Sequence, residues 1–162
     1  MSTHSIGAAM DRRGFLGMAL GAGAVASVLL PRIACAAAAP VTMTVYKSPS
    51  CGCCGEWVKH VQAAGYTVKV VPMEDLSAIK RDAAVPDALQ SCHTALVGAY
   101  VVEGHVPADL ISRMLREKPK FAGLAVPGMP QGAPGMEQGQ AKQAYNVIAF
   151  ERSGRTSVYA KR

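Results

Sequence analysis

Cys51, Cys53 and Cys54 place three thiols within four residues, and Cys92 adds a fourth with His93 beside it. Thiolates are soft donors, strong nucleophiles and readily oxidised. Cys51 and Cys54 stand at C-x-x-C spacing, which suits a redox dithiol with Cys51 attacking and Cys54 resolving. Cys53 has no role in that chemistry. Adjacent Cys53 and Cys54 do not easily bridge, and a structural disulfide framework rarely crowds three cysteines into four positions. Three readings follow: an inert disulfide from Cys51 or Cys54 to Cys92, a dithiol oxidoreductase, or a metal site of C-x-C-C type.

Further donors favour the metal site. The motif opens a helical pattern, where unpaired N–H groups and the positive dipole end favour thiolate over thiol. His105 precedes Pro107 and is a candidate ligand beside Cys92 and His93. His60 lies seven residues beyond Cys53, about 10 Å along a helix axis, and is read as a surface residue. Met129 and Met136 recur in a Pro-Gly-Met echo, an unusual place for a residue that normally fills cores. Zinc needs only four ligands. The surplus of thiols, imidazoles and thioethers points to copper, with several ions sharing bridging sulfurs.

The elements that position these residues read in order. Val41–Tyr46 alternates as a strand, and a helix runs from Cys53 to Ala64 until Gly65 stops it. Tyr66–Val71 is a strand closed by Pro72. Asp75–Ala83 is a short helix with Leu76 and Ile79 inward. Thr94–Gly98 and Tyr100–Glu103 form a hairpin about Gly98. Pro107–Glu117 is a helix with Leu110, Ile111, Met114 and Leu115 facing the core. Residues 123–139 are a Gly/Pro-rich loop. Tyr145–Glu151 and Thr156–Ala160 form a last hairpin. The order β-α-β-α-β-β-α over residues 41–117 is that of an α/β, thioredoxin-like domain, with a four-stranded mixed sheet and helices on both faces. A C-terminal loop and β-hairpin extension follows. In that fold the segment before the third strand faces the redox motif and usually carries a cis-proline. Here Cys92 and His93 stand there instead.

The ends and the charge bound the rest. Arg12-Arg13-Gly14-Phe15-Leu16, an uncharged stretch to Pro31 and a small-residue run at residues 34–38 resemble a twin-arginine export signal. Residues 1–38 are therefore expected to be a cleaved signal, residues 39–118 the core and residues 119–162 an extension that helps build the metal site. Without the signal, 14 basic residues remain against 10 acidic ones. They are scattered, so the chain is expected to bind no nucleic acid and to meet a membrane only through an uncleaved signal. It is expected to be a monomer.

Cys-Gly-Cys-Cys-Gly-x-Trp (51–57), Ser-Cys-His-Thr (91–94), Val-Glu-Gly-His-Val-Pro (102–107) and the Pro-Gly-Met repeat of residues 123–136 resemble the CopG-like family of periplasmic copper-resistance proteins. The four motifs span nearly the whole chain beyond the signal. The resemblance implies a thioredoxin-like domain and a cysteine-bridged multinuclear copper cluster beside C-x-C-C. It also implies interconversion of Cu(I) and Cu(II) in support of periplasmic copper export, in a Gram-negative setting. Cys51, Cys53, Cys54 and Cys92 carry over as metal ligands, with His93, His105, Met129 and Met136 as candidates. A thiol–disulfide oxidoreductase and a passive copper carrier or store remain the alternatives.

Overall fold

The computed structural model describes residues 40–137, 139 and 142–162. The export signal read at residues 1–38 lies outside them. β1 (Thr42–Lys47) leads into α1 (Gly52–Ala63) and β2 (Thr67–Pro72). Then come α2 (Ser77–Asp82), a 3-10 turn at Asp87–Leu89, the hairpin β3 (His93–Val97) and β4 (Tyr100–Gly104), and α3 (Ala108–Glu117). The chain ends in β5 (Gly123–Val126), β6 (Asn146–Phe150) and β7 (Thr156–Lys161). The order β-α-β-α-β-β-α is present up to α3.

Among the described residues, seven strands form one mixed sheet in the order β2-β1-β3-β4-β5-β6-β7. β1 runs parallel to β2 and antiparallel to β3, β3 is antiparallel to β4, and β4 is parallel to β5. The last hairpin continues the sheet through β5 and β6, which are antiparallel. This corrects the expectation of a four-stranded sheet, because the extension adds three strands to it. It also corrects the loop read from residue 123, because Gly123–Val126 is a buried central strand. Four residues are too few to show periodicity. Gly123 is required there, since a Cβ would stand 2.3 Å from the Val101 carbonyl oxygen and 2.7 Å from the Phe150 ring.

Strand alternation divides the core between the two faces. Met43, Val45, Ala95, Val97, Val102, Leu124, Val126 and Val147 face α1 and α3, where Trp57, Val61, Ile111 and Met114 are buried. Val101, Ala125 and Phe150 face the other way, against Ala83, Val85 and Leu89. Helical segments therefore cover both faces, as expected. α3 ends at Lys118 in a left-handed conformation (φ +48°), with Pro119 after it.

α2 departs from its reading. Leu76 and Ile79 are only half-buried, and the buried residue of this short helix is Lys80. Its partner is Glu103 of β4, which is fully buried. A carboxylate in a strand covered on both faces needs donors, and Lys80 supplies the cation.

Candidate metal centre

Strand register gathers three loops at one end of the sheet. Lys47 at the end of β1 pairs with His93 at the start of β3. Thr94 pairs with Glu103, so Gly104 and His105 leave β4 beside His93. Gly104 pairs with Val126, so the Gly/Pro loop starts from the same end.

Cys51 caps α1 in extended conformation and its carbonyl accepts the Gly55 N–H at 3.3 Å. Cys54, one turn in, is fully buried, while Cys51 and Cys53 are half-buried. Cys51 and Cys54 are joined as a disulfide, and Cys53 and Cys92 are free. The bridge is thus the C-x-x-C one and does not involve Cys92. Cys53 Sγ lies 3.5 Å from Cys51 Sγ. Cys54 Sγ lies 3.8 Å from the Cys92 carbonyl oxygen, a contact without a proton to share. The four sulfurs fall within 4.8 Å of one another.

A second donor set shares Cys92. Its Sγ lies 3.1 Å from His105 Nε2 and 3.5 Å from His93 Nδ1. One donor atom each from Cys92, His93 and His105 falls within 4.8 Å of the others. His105 Nδ1 lies 2.8 Å from the Pro134 carbonyl oxygen. That oxygen can only accept, so Nδ1 carries the proton and Nε2 turns its lone pair toward Cys92. A carbonyl holding the far nitrogen is the usual support of a metal-binding imidazole. His93 is fully buried, 4.3 Å from the Trp57 ring and 5.0 Å from the His105 ring between centroids. Its Nε2 is buried without a well-formed hydrogen bond.

Burial, then the nearby His105 and Lys80, hold His93 well below the ordinary imidazole range, and the Gly104 backbone offsets little of this. Burial likewise lowers His105, although the Pro134 carbonyl pulls the other way. Both rings therefore offer lone pairs at neutral pH. Burial and the Cys53 sulfur push the Cys92 thiol up to about 11. The depressed thiol expected of the helix start does not extend to Cys92, which sits before a strand and gains nothing from the α1 dipole.

The structure brings Cys51, Cys53, Cys54, Cys92, His93 and His105 into one site. The methionines are placed differently. Met129 is 45% exposed with φ +47°. Met136 is half-buried and follows Gly135, where a Cβ would stand 2.7 Å from Trp57 N and 2.8 Å from the Cys53 carbonyl oxygen. The loop thus lies flat on the first turn of α1, and Glu137 accepts the Gly135 N–H at 2.7 Å. His60 is half-buried, and its Nε2 accepts the Ala108 N–H at 3.1 Å, capping α3 instead of lying free on the surface. Sequence reasoning missed the Lys80–Glu103 pair. Its signal was a glutamate after two valines in a strand with no solvent face.

Clustered sulfurs and neutral imidazoles on a mixed α/β scaffold make a donor set that could hold a soft metal. Comparisons point the same way. A family described as "Protein of unknown function, DUF411" matches residues 89–136. No curated protein sequence matches the chain. Two solved structures of copper resistance protein CopG, forms 2 and 1, superpose with TM-scores of 0.73 and 0.72. Each is 44% identical and covers 76% of this chain, which spans 99% and 98% of theirs. The chain belongs to the CopG family of copper resistance proteins.

Proposed function

We propose that this chain is a periplasmic copper-binding protein of copper resistance that holds copper as its substrate and interconverts Cu(I) and Cu(II). In this reading residues 1–38 are a twin-arginine export signal. Residues 39–118 are a thioredoxin-like core, and residues 119–162 complete the site. The protein acts as a monomer and passes copper to the export machinery. The ligands are Cys51, Cys53, Cys54, Cys92, His93 and His105, with Met129 and Met136 in the covering loop. The carrying observation is that four sulfurs and two neutral imidazoles meet around Cys92, with the His105 lone pair aimed at its sulfur.

The donor set fits copper in both oxidation states. Thiolates suit Cu(I) and imidazoles suit either; with the Cys51–Cys54 bridge reduced, four thiolates can bridge several ions, and with it formed Cys53 and Cys92 remain. Cys92 is held as a thiol, so metal taken up there displaces a proton, and uptake strengthens as pH rises. The Cys51–Cys54 dithiol supplies two electrons. When the disulfide forms, two Cu(II) become two Cu(I) and two protons leave. Trp57 fixes the site from below through its hydrogen bond to the Val106 carbonyl, 2.9 Å, and its contact with His93.

The test is a count. The protein, reduced and kept from oxygen, is titrated with Cu(I) and its copper measured by elemental analysis. More than one copper per chain is expected, and fewer than one overturns the reading. A second reading draws on the Cys51–Cys54 disulfide itself, which sits at a helix N-terminus as redox dithiols do. It makes the chain a thiol–disulfide oxidoreductase. Disulfide reduction that persists under strong Cu(I) chelation and in Cys53→Ser favours that reading over the first.

A further inference from the structure

Neither Lys80 nor Glu103 hydrogen-bonds a sulfur or a ring nitrogen of the site, yet both are buried beside it. Glu103 is 0% exposed and the Lys80 side chain 8%. Glu103 Oε1 accepts from Lys80 Nζ and from the Ser91 N–H, the latter at 2.6 Å. Its Oε2 accepts from the Thr94 hydroxyl at 2.7 Å. Lys80 Nζ donates further to the Ser91 carbonyl at 2.9 Å and to Thr94 Oγ1 at 3.1 Å. The three ammonium protons therefore have three acceptors, and the carboxylate has three donors.

The pattern of partners is informative. Ser91 is gripped at both its backbone N–H and its backbone carbonyl. Thr94 is gripped at its hydroxyl, which accepts from the lysine and donates to the glutamate. These are the residues on either side of Cys92 and His93. We propose that the buried Lys80–Glu103 pair is a positioning device that sets Cys92 and His93 in the metal site.

Two arguments support a positioning role over a merely stabilising one. Burying an ion pair is a poor way to stabilise a fold, because an apolar pair of similar volume closes the same space without desolvating two charges. An apolar pair could not hold the Ser91 backbone. Ser91 and Cys92 also lie outside the strand pairing, which begins at His93. Cys92 is in no disulfide. No proline occupies residues 91–94. A metal site needs donors fixed to within about 0.5 Å, which falls to the residues behind them.

The inference rests on the copper reading for its consequence, but its test does not. Lys80→Met/Glu103→Leu removes the clamp while keeping the volume, and Thr94→Val removes one arm of it. Folding is followed by circular dichroism. In metal-free protein labelled with nitrogen-15 in histidine, the His93 ring signals are expected to shift or broaden in both variants. His105, held by Pro134, should keep its Nδ1–H tautomer. Cu(I) affinity, read by competition with a chromophoric chelator, is expected to fall about 10- to 100-fold in the double variant and about tenfold in Thr94→Val. Cys92→Ser serves as the control for copper. If it leaves Cu(I) affinity unchanged, the copper reading fails and the His93 signals alone decide. A folded variant of the first two with wild-type His93 signals overturns the proposal whatever its affinity. If the double variant does not fold, Thr94→Val decides by the same criterion.

Discussion

His93 concentrates the chemistry of this site in one side chain. It is fully buried, contacts Trp57 and has an Nε2 without a well-formed hydrogen bond. Its pKa lies well below the ordinary value, so the unfolded chain takes up a proton below about pH 6.5 that the fold refuses. The stability that the neutral ring contributes is therefore present above about pH 6.5 and lost as pH falls toward the lowered folded value. Metal-free protein should lose up to about 1.4 kcal/mol per pH unit from this group on acidification from that point. His105 acts in the same direction. Glu103, pushed up by burial against the pull of Lys80, acts in the opposite one. Comparing wild type with His93→Phe isolates the His93 share. Urea unfolding at pH 7.5 and pH 5.5 should show a shallower pH slope in the variant. Equal slopes would mean that His93 takes up protons in the folded protein as readily as in the unfolded one.

The loop between β5 and β6 carries the next level of control, and it acts through the backbone. The Pro134 carbonyl fixes the His105 tautomer, and Gly135 lets the loop lie against Cys53 and Trp57. Gly135 has φ +83°, so an alanine there suffers both the left-handed penalty and backbone overlap. Gly135→Ala is expected to cost about 2–4 kcal/mol in urea unfolding. It should also weaken Cu(I) binding as the loop lifts and His105 loses its acceptor. Unchanged affinity would show that the loop merely covers the site. The cysteines, His93 and His105 were legible in the sequence because their types and spacing carry chemistry without knowledge of the fold. The loop's use of a carbonyl was not, since every residue has one. Lys80 was hidden for a different reason: Leu76 and Ile79 offered a conventional apolar face on a helix too short to test it. His60 lies too far along its helix from Cys53 to share a metal, and its partner is an N–H of α3, remote in sequence.

At the scale of the molecule, the C-terminal extension is built into the sheet. β5 pairs with β4 on the side away from β3, and β6 and β7 extend the sheet from there. Leu124, Val126 and Val147 lie in the same cluster as Trp57 and Ile111, and Phe150 closes the opposite face. The element order up to α3 was readable from hydrophobic patterns because those segments are long enough to repeat. The joining of the extension was not, because β5 is short and its pairing with β4 is non-local. This placement sets an expectation for truncation after Lys118. Were the extension a separate appendage, the shortened chain would fold and lose only its covering loop. Instead it loses four large buried side chains, each worth about 1.5–3 kcal/mol. Their sum is comparable to the whole stability of a domain, about 5–15 kcal/mol. It also leaves β4 with an unpaired edge in the middle of the former sheet. The truncated chain should show no cooperative urea transition and should aggregate on concentration. A cooperative transition with native-like Trp57 fluorescence would instead mark the first part of the chain as an independent folding unit.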